Sequence, residues 1–430
     1  MDIWTPGQGL LGPNACILHS DINSAYASMS LAYKPHLRDK PVAIGGDEEQ
    51  RHGIILAKNQ IAKRFGVQTG SALWEAKRAC KNLIILPPEY RLYKLLSSIV
   101  FAIYYEYTSR VQPFGLDEAW LDVTGEDGFR IANELRTRIF KETGMTISVG
   151  VSFNKVLAKL GSDMKKPNAV TVLSREDWKE KAFPLPASDL LNVGPETTAK
   201  LRNYYITTIG QLAECSEEWL CSIFGKNGTM LYVFANGYDR TPVNEFGECD
   251  VPMKTIGNSQ TYYRDIVDKA DYRMMVLPLC ESVAARLREN GVMCETLSIS
   301  LRDFELHRFS RQMKLRHPTN LCRDIWDAAC GLVEKCFPGT DRFPYPFRSL
   351  GVRGMGLVPN NVPVQLDLEY DAERQAKKLR LERSIDGLRE RFGYASVQRL
   401  TAHMDRAGAM LDAKGDNTVH PVSYMRAAEW

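Results

Sequence analysis

The residues with the clearest chemical potential are three carboxylates, Asp21 and the adjacent pair Asp117 and Glu118. Apolar residues flank them, at 16–18 before the first acid and at 119–121 after the pair, as in buried β-strands. Carboxylates held against a hydrophobic core need neutralising partners, and divalent metal ions can supply them. The pattern predicts a metal-binding acid cluster at the ends of neighbouring strands. The alternative is that the adjacent pair lies in a solvated surface turn.

The elements that must position these acids alternate between strands and helices in the first 175 residues. Asp21 follows a predicted strand, and the pair lies at the turn of a predicted hairpin over residues 111–123. Mixed strands and helices of this kind predict an α+β sheet domain with helices on one face. Further strands are predicted at 15–20, 41–45, 53–57, 146–151 and 170–173, and helices at 24–33, 59–65, 90–107, 127–143 and 154–164.

The remainder of the chain changes character twice. Residues from about 184 to 245 are predicted to be all-helical, with Pro195 at a helix start. A second mixed region begins near Met253, with a helix over 272–290 and strands that include 296–301 and 312–315. The last 65 or so residues are charged, and a helix is predicted over 371–392.

Length and composition indicate an ordinary multidomain globular protein. The chain has 430 residues, 44% hydrophobic and 25% charged, which suggests about three domains. This mix excludes a disordered chain, a collagen-like repeat and a disulfide mini-protein. The net charge is 55 − 52 = +3, so any basic binding surface must be local.

The ten cysteines include no CxxC pair and no zinc-finger spacing, so reduced thiols are expected. The N-terminus has no basic leader followed by an apolar run, and no stretch reaches about 18 apolar residues. The sequence therefore predicts a cytoplasmic protein without a membrane span.

Four ordered stretches resemble the Y-family, or translesion, DNA polymerases, of the bacterial DinB/UmuC-like branch. Residues 21–28 (DINSAYAS) resemble the first metal motif of that family, and residues 115–122 (GLDEAWLD) resemble the second. Residues 148–168 (SVGVSFNKVLAKLGSDMKKPN) are similar to its long signature, and residues 254–259 (KTIGNS) to the start of its C-terminal DNA-binding domain.

The resemblance implies an α+β multidomain fold shaped as a right hand, with palm, fingers, helical thumb and α/β little finger. The implied domains are a palm at 1–30 and 84–182, fingers at 31–83, a thumb with a helix-hairpin-helix at 183–246, a little finger at 247–360 and a tail at 361–430.

The resemblance also implies a catalytic role for Asp21, Asp117 and Glu118. They would hold two Mg²⁺ ions, for which Mn²⁺ can substitute, and the backbone carbonyl of Ile22 would be a further ligand. The implied reaction is in-line attack of a primer 3′-OH on the α-phosphate of a nucleoside triphosphate. No second acid set that suits an exonuclease is evident, so no proofreading is expected.

A nucleotide pocket is implied beside the acids. Lys166 matches the phosphate-binding lysine of the family, and Asn59 and Lys63 lie on the predicted fingers helix, where many relatives carry Tyr and Arg at positions 60 and 63. Tyr26 falls at the steric-gate position, where an aromatic ring excludes a ribose 2′-OH. Ala25 replaces a common Phe, so weaker exclusion of ribonucleotides is expected. The predicted nucleotide-binding residues are Ser24, Ala25, Tyr26, Asn59, Lys63 and Lys166.

DNA contacts are expected in two places. Residues 191–201 (LNVGPETTAKL) resemble a helix-hairpin-helix, whose turn presents amides to a phosphate. From residue 254 to 353 the net charge is 16 − 12 = +4. Arg308, Lys314 and Arg316 are an even number of residues apart, so on a strand they would project from one face. The predicted DNA-binding residues are Val193, Gly194, Lys200, Lys254, Arg308, Lys314 and Arg316.

A short motif in the tail predicts a protein partner. Residues 365–370 (QLDLEY) resemble the bacterial sliding-clamp motif, in which apolar and aromatic side chains fill pockets of a groove. The predicted clamp-binding residues are Gln365, Leu366, Leu368 and Tyr370. The other expected partners are primer–template DNA and nucleoside triphosphates, for a monomer associated with the nucleoid and not with a membrane.

Two other functions remain open on the sequence. One is a related nucleotidyl transferase with relaxed sugar selection, which Ala25 suggests. The other is a non-catalytic DNA-binding scaffold, which would be expected to have lost at least one of the three acids.

Overall fold

The computed structural model of the chain describes residues 11–47, 53–245, 253–363 and 371–400. They divide into two compact units, residues 11–46 with 54–245 and residues 253–363 with 371–400. None of the helices described is both long and apolar enough to span a bilayer.

The first unit contains eight strands and eleven α-helices among its described residues. The strands are β1 (Ile17–Ile22), β2 (Val42–Gly45), β3 (Ile55–Lys58), β4 (Ile84–Leu86), β5 (Val111–Pro113), β6 (Glu118–Asp122), β7 (Ile147–Ser152) and β8 (Val170–Val172). The helices are α1 (Ala25–Ala32), α2 (Gln60–Arg64), α3 (Leu73–Ala79), α4 (Tyr90–Tyr105), α5 (Gly128–Thr143), α6 (Lys155–Met164), α7 (Trp178–Ala182), α8 (Pro195–Asn203), α9 (Ile209–Ala213), α10 (Glu217–Phe224) and α11 (Lys226–Ala235).

A five-stranded sheet with order β5-β6-β1-β7-β8 forms the centre of this unit. One face packs on α1, α4 and α5, where Val149 and Val151 of β7 join their core. Helix α6 covers the other face, since a Cβ at Gly150 would come within 1.8 Å of the Ala158 carbonyl oxygen. The expectation of helices on one face is therefore wrong, because a glycine in β7 lets α6 approach closely. Both faces of β1 and β7 are consequently buried.

Two smaller bodies belong to the same unit. A three-stranded sheet with order β3-β2-β4 packs with α2 and α3 around Ala43, Ile55, Ala62 and Leu73. Helices α7 to α11 enclose a separate core that includes Trp178, Leu201, Leu220 and Leu231. The predicted all-helical region is thus confirmed.

The second unit is a four-stranded antiparallel sheet covered by helices on one face. Its elements are β9 (Thr255–Asp268), α12 (Lys269–Glu289), β10 (Val292–Asp303), β11 (Arg308–Thr319), α13 (Cys322–Cys336), β12 (Arg342–Pro359) and α14 (Ala372–Phe392). The sheet order is β11-β10-β12-β9. Apolar residues of one sheet face and of α12 and α13 form a continuous core.

Helix α14 is fastened to the outer side of α12 and α13 by buried charges. Arg288 of α12 binds Glu382 and Asp386, and Glu382 also accepts from the Cys322 amide at 3.0 Å. One helical face of α14 therefore carries acids that are neutralised inside the unit. The other salt bridges of this cluster join Glu281 to Arg389 at 3.2 Å and to Arg399 at 2.7 Å, and Arg399 to Glu382 at 3.8 Å.

Candidate active site and nucleic-acid interface

The strand register brings the three predicted carboxylates together. Asp21 of β1 is paired with Glu118 of β6. The Ile22 amide donates to the Asp117 carbonyl at 2.8 Å, which fixes the start of β6 against the end of β1. The expectation that the acids lie at neighbouring strand ends is thereby confirmed.

A tight turn between β5 and β6 presents Asp117. The amides of Phe114 and Gly115 both donate to the Glu118 carbonyl, at 2.9 and 3.3 Å. A Cβ at Gly115 would lie 3.2 Å from the Asp117 carboxylate. The small residue therefore leaves the Asp117 side chain room beside the turn.

Two lysines from the neighbourhood of α6 neutralise two of the acids. Lys166 lies 2.8 Å from Asp21, and Lys159 lies 2.5 Å from Glu118. Lys166 also contacts Asp163 at 2.7 Å. Asp117 makes no salt bridge to any of the residues that the structure describes.

The protonation equilibria reflect this uneven pairing. Burial, together with the charges of Asp21 and Glu118, raises the pKa of Asp117 to about 6. Burial also raises the pKa of Asp21, although Lys166 opposes the shift. Burial raises the pKa of Glu118 as well, but the contacts with His19 and Lys159 outweigh it and bring the pKa down to about 2. The two lysines therefore neutralise only part of the negative charge of the three acids.

His19 is a functional neighbour that sequence reasoning missed. It is fully buried, and its Nε2 lies 3.4 Å from the Glu118 carboxylate. The only sequence signal is its position two residues before Asp21, which places both on one face of β1. Burial lowers the pKa of His19, so the imidazole is neutral at pH 7.

The acids suit divalent metal ions of the oxygen-binding class. Their donors are carboxylates alone, and Asp117 carries an unneutralised, half-buried charge of the kind that a cation stabilises. In the part of the chain that the structure describes, however, no three His, Cys, Asp or Glu side chains converge as a ligand set. In this arrangement Glu118 is held by Lys159 and Asp21 by Lys166.

The predicted steric-gate residue is held by other aromatic rings. Tyr26 stacks on Tyr93 with ring centroids 4.7 Å apart and planes 9° apart, and Tyr90 packs edge-on against both. Tyr93 is fully buried, and its hydroxyl lies 2.9 Å from Ser30. The sequence analysis missed this support, although tyrosines three apart on a helix were a visible signal. Ala25, next to Tyr26, is buried.

The other predicted nucleotide residues divide into two groups. Ser24 lies before α1 and receives a hydrogen bond of 3.3 Å from Gln60, which links α1 to α2. Lys63 is exposed on α2. Asn59 is instead buried: it caps α2 at the Ala62 amide and donates to the Lys40 carbonyl at 2.7 Å. These contacts are internal, so the geometry does not support its predicted nucleotide contact.

The polar face of the second unit carries the predicted bases. Exposure alternates along β11, so Arg308, Lys314 and Arg316 lie on the face opposite the helices. In the neighbouring strands this face carries small or polar residues; Ser298 and Arg353 are paired across it, as are Ser300 and Gly351. Lys254 is exposed directly before β9. Hydroxyls, glycines and guanidiniums suit a phosphate backbone better than a protein core.

The predicted helix-hairpin-helix contacts are only partly available. Gly194 is exposed at the start of α8, with open space where a side chain would be. Lys200 is exposed and lies over the Phe224 ring at 5.6 Å. Val193 is buried, and its amide donates to the Leu190 carbonyl at 3.1 Å. The Val193 amide is therefore not free for a phosphate, because it closes the turn before α8.

The predicted clamp motif with Gln365, Leu366, Leu368 and Tyr370 lies outside the described residues. The structure describes the elements on either side of it, β12 and α14. Clamp binding through these residues therefore stays a prediction.

Comparison with known proteins agrees with the fold and the acid cluster. The family model described as the impB/mucB/samB family matches residues 20–163, and its C-terminal domain matches residues 253–368. The DNA polymerase IV of Acetivibrio thermocellus is 46% identical over 395 residues, which cover 91% of this chain and 98% of that protein. The DNA polymerase IV of Moorella thermoacetica is 38% identical over 396 residues, or 91% and 96% of the two chains.

A solved Y-family DNA polymerase chimera shares the fold, with a TM-score of 0.69 and 19% sequence identity. The match covers 80% of this chain and 100% of that one. The mixed sheet with paired carboxylates thus belongs to the right-hand fold, with palm, fingers, thumb and little finger. More closely, the chain belongs to the impB/mucB/samB family of Y-family translesion DNA polymerases. It is therefore a DNA-directed DNA polymerase.

Proposed function

We propose that the chain performs error-prone, template-directed translesion synthesis by two-metal phosphoryl transfer, without proofreading. The observation that carries the proposal is the pairing of Asp21 with Glu118 across β1 and β6, with Asp117 at the turn beside them. This pairing brings three acids from two strands to neighbouring positions, which supports a two-metal phosphoryl transfer. Primer–template DNA and nucleoside triphosphates are the substrates of the reaction.

Asp21, Asp117, Glu118 and the carbonyl of Ile22 would hold two Mg²⁺ ions, for which Mn²⁺ can substitute. All of these donors are oxygens, which Mg²⁺ prefers. When bound, the metal ions neutralise phosphate charge and stabilise the attacking and leaving oxygens.

The other residues of the site would orient the nucleotide. Lys166 lies beside Asp21, so a small movement of its flexible side chain would bring its charge to a triphosphate. Lys63, exposed on α2, offers a second cation, and Ser24 lies at the start of α1. Tyr26, held by Tyr93, would pack against the sugar and exclude a 2′-OH.

The DNA would contact the polar face of the second unit and the turn before α8. Arg308, Lys314 and Arg316 supply charge, and Gly194 supplies an open backbone. Such contacts bind phosphates without reading sequence, which a polymerase needs.

The domain boundaries stated above are proposed for palm, fingers, thumb, little finger and tail. We further propose a monomer in the bacterial cytoplasm, associated with the nucleoid and bound to the sliding clamp through residues 365–370. Clamp-stimulated synthesis by a Gln365→Ala, Leu368→Ala double variant tests the last point. Basal synthesis should persist while clamp stimulation is lost.

Primer extension with Mg²⁺ and deoxynucleotides tests the central proposal. Template-matched addition should occur with the native chain and fall at least about 10³-fold with Asp117→Asn, because removal of one charge-stabilising group costs about that much. A mismatched primer end should remain uncut. If the variant extends primers as fast as the native chain, the proposed site is wrong.

A second candidate activity is ribonucleotide addition at the same site. Ala25 favours it, since a small buried residue stands next to the gate where many relatives have Phe. The scaffold alternative has no observation in its favour, because all three acids are present and Asp21 is paired in register with Glu118.

A further inference from the structure

Lys159 of α6 forms a salt bridge with the Glu118 carboxylate. Its Nζ lies 2.5 Å from the carboxylate and 5.0 Å from the Phe114 ring centroid. The side chains of Lys159 and Glu118 are only 16% and 19% exposed. The contact is therefore not an ordinary solvated surface pair, for which the interaction would be weak.

A second buried side chain, His19, lies beside Glu118. The Ser162 hydroxyl donates to the Lys159 carbonyl at 2.7 Å and lies 2.8 Å from Nδ1 of His19. Nε2 of His19 is buried and has no hydrogen-bond partner among the described residues.

Nε2 of His19 lies 3.4 Å from the carboxylate of Glu118. A carboxylate so largely removed from water is stable only beside a positive charge. Lys159 supplies that charge in the metal-free chain, and a divalent metal ion would supply it in the loaded enzyme.

We propose that Lys159 is a positioning residue that holds Glu118 before metal is bound and competes with the metal for this carboxylate. The inference rests on the proposed metal site. It distinguishes Lys159 from Lys166, which has a second acidic partner in Asp163 and a proposed role at the triphosphate. Lys159 thereby sets how much divalent metal the enzyme requires.

Mn²⁺ binding to the full chain, followed by electron paramagnetic resonance without DNA or nucleotide, tests the inference. Lys159→Gln should bind Mn²⁺ about fivefold more tightly or better, because a competing charge in a partly buried site has been removed. General damage to the site would weaken binding, so tighter binding separates competition from a merely structural role.

Lys155→Gln is the matched control. Lys155 lies one turn earlier on α6, but its Nζ donates to Gln112 at 3.2 Å and to the Pro242 carbonyl at 2.9 Å. Its Mn²⁺ affinity should stay within about twofold of the native value, since its charge is held elsewhere.

Unchanged or weaker Mn²⁺ binding by Lys159→Gln would overturn the inference, provided that Asp117→Asn loses Mn²⁺ binding. If Asp117→Asn binds Mn²⁺ like the native chain, the ion is not at these acids, and the proposed metal site fails with the inference. The two failures are therefore distinguishable.

Discussion

The rings of Tyr26 and Tyr93 lie parallel, 4.7 Å apart, so the residue expected to discriminate against ribose rests on a fully buried aromatic base. Because Tyr93 belongs to the packed core, the Tyr26 ring cannot move towards it without disturbing α4. The position of Tyr26 is therefore restricted by Tyr93, a residue that need not touch the nucleotide.

Replacing Tyr93 by Leu should loosen the gate. The substitution removes the stacking surface behind Tyr26, so we expect ribonucleotide incorporation to rise about tenfold, equivalent to about 1.4 kcal/mol. Steady-state incorporation of matched ribo- and deoxynucleotides measures the ratio. Tyr93→Phe keeps the ring and loses only the Ser30 hydrogen bond, so it should retain most discrimination. An equal effect of Phe and Leu would contradict the stacking argument.

Ala25→Phe should tighten discrimination. The added ring would restore bulk beside Tyr26, so the ribonucleotide-to-deoxynucleotide incorporation ratio should fall. Because Ala25 is buried, the new ring must displace neighbours at about 1–3 kcal/mol, and thermal unfolding should be recorded alongside. A folded variant with an unchanged ratio would show that Ala25 does not relax sugar selection.

Asp117→Asn should stabilise the metal-free chain at neutral pH. The pKa of about 6 for Asp117 exceeds its ordinary 3.8, so the stability linked to its protonation is present below about pH 4 and lost as pH rises through 6. In EDTA at pH 7.5 the variant should gain about 1–2 kcal/mol after allowance for solvent screening. The gain should shrink at pH 5, where the native carboxyl is largely protonated.

Thermal unfolding at the two pH values provides the measurement. Glu118→Gln is the opposite-sign control, since the pKa of Glu118 is lowered and its charge stabilises the fold above about pH 4.5. This variant should lose stability at both pH values. A stabilising effect of Asp117→Asn that grows towards pH 5 would contradict the assignment.

Arg308→Ala should weaken DNA binding and reduce its dependence on salt. Loss of one phosphate contact should lower the slope of log K against log salt by about 0.9. Arg311→Ala is the matched control, because Arg311 has the other strand parity and stacks over Phe309 at 4.3 Å. Equal slopes for both variants would show that the polar face is not the DNA surface.

Arg288→Ala should strongly destabilise the second unit. It would leave Glu382 and Asp386 without their main cation, at a cost of about 3–5 kcal/mol. Urea unfolding measures the effect. Lys378→Ala is the control, since Lys378 is only partly buried and lies 3.9 Å from Asp324, so about 0.5 kcal/mol or less is expected.

The sequence predicted those parts of the site that depend on strand order and local motif. Asp21, Asp117 and Glu118 could be placed because apolar runs flank them. That Arg308 and Lys314 share a face of the sheet followed from their even spacing on a predicted strand. His19 and Tyr93 could not be assigned a role, because their meaning depends on contacts across 99 and 67 residues of chain. The internal hydrogen bonds of Asn59 and Val193 could not be foreseen, because motif spacing does not reveal buried contacts.

The salt bridges between α14 and α12 have a consequence for the exchange of domains among these enzymes. Similarity to the family's C-terminal domain ends at residue 368, yet α14 begins at Ala372 and closes over Arg288 and Glu281. A little-finger domain transplanted with its boundary at residue 368 would lack α14. Arg288 and Glu281 on its helix α12 would then lose their α14 partners. Chimeras that carry the segment through residue 400 would include α14, which pairs with these charges, and would keep the stability that it contributes.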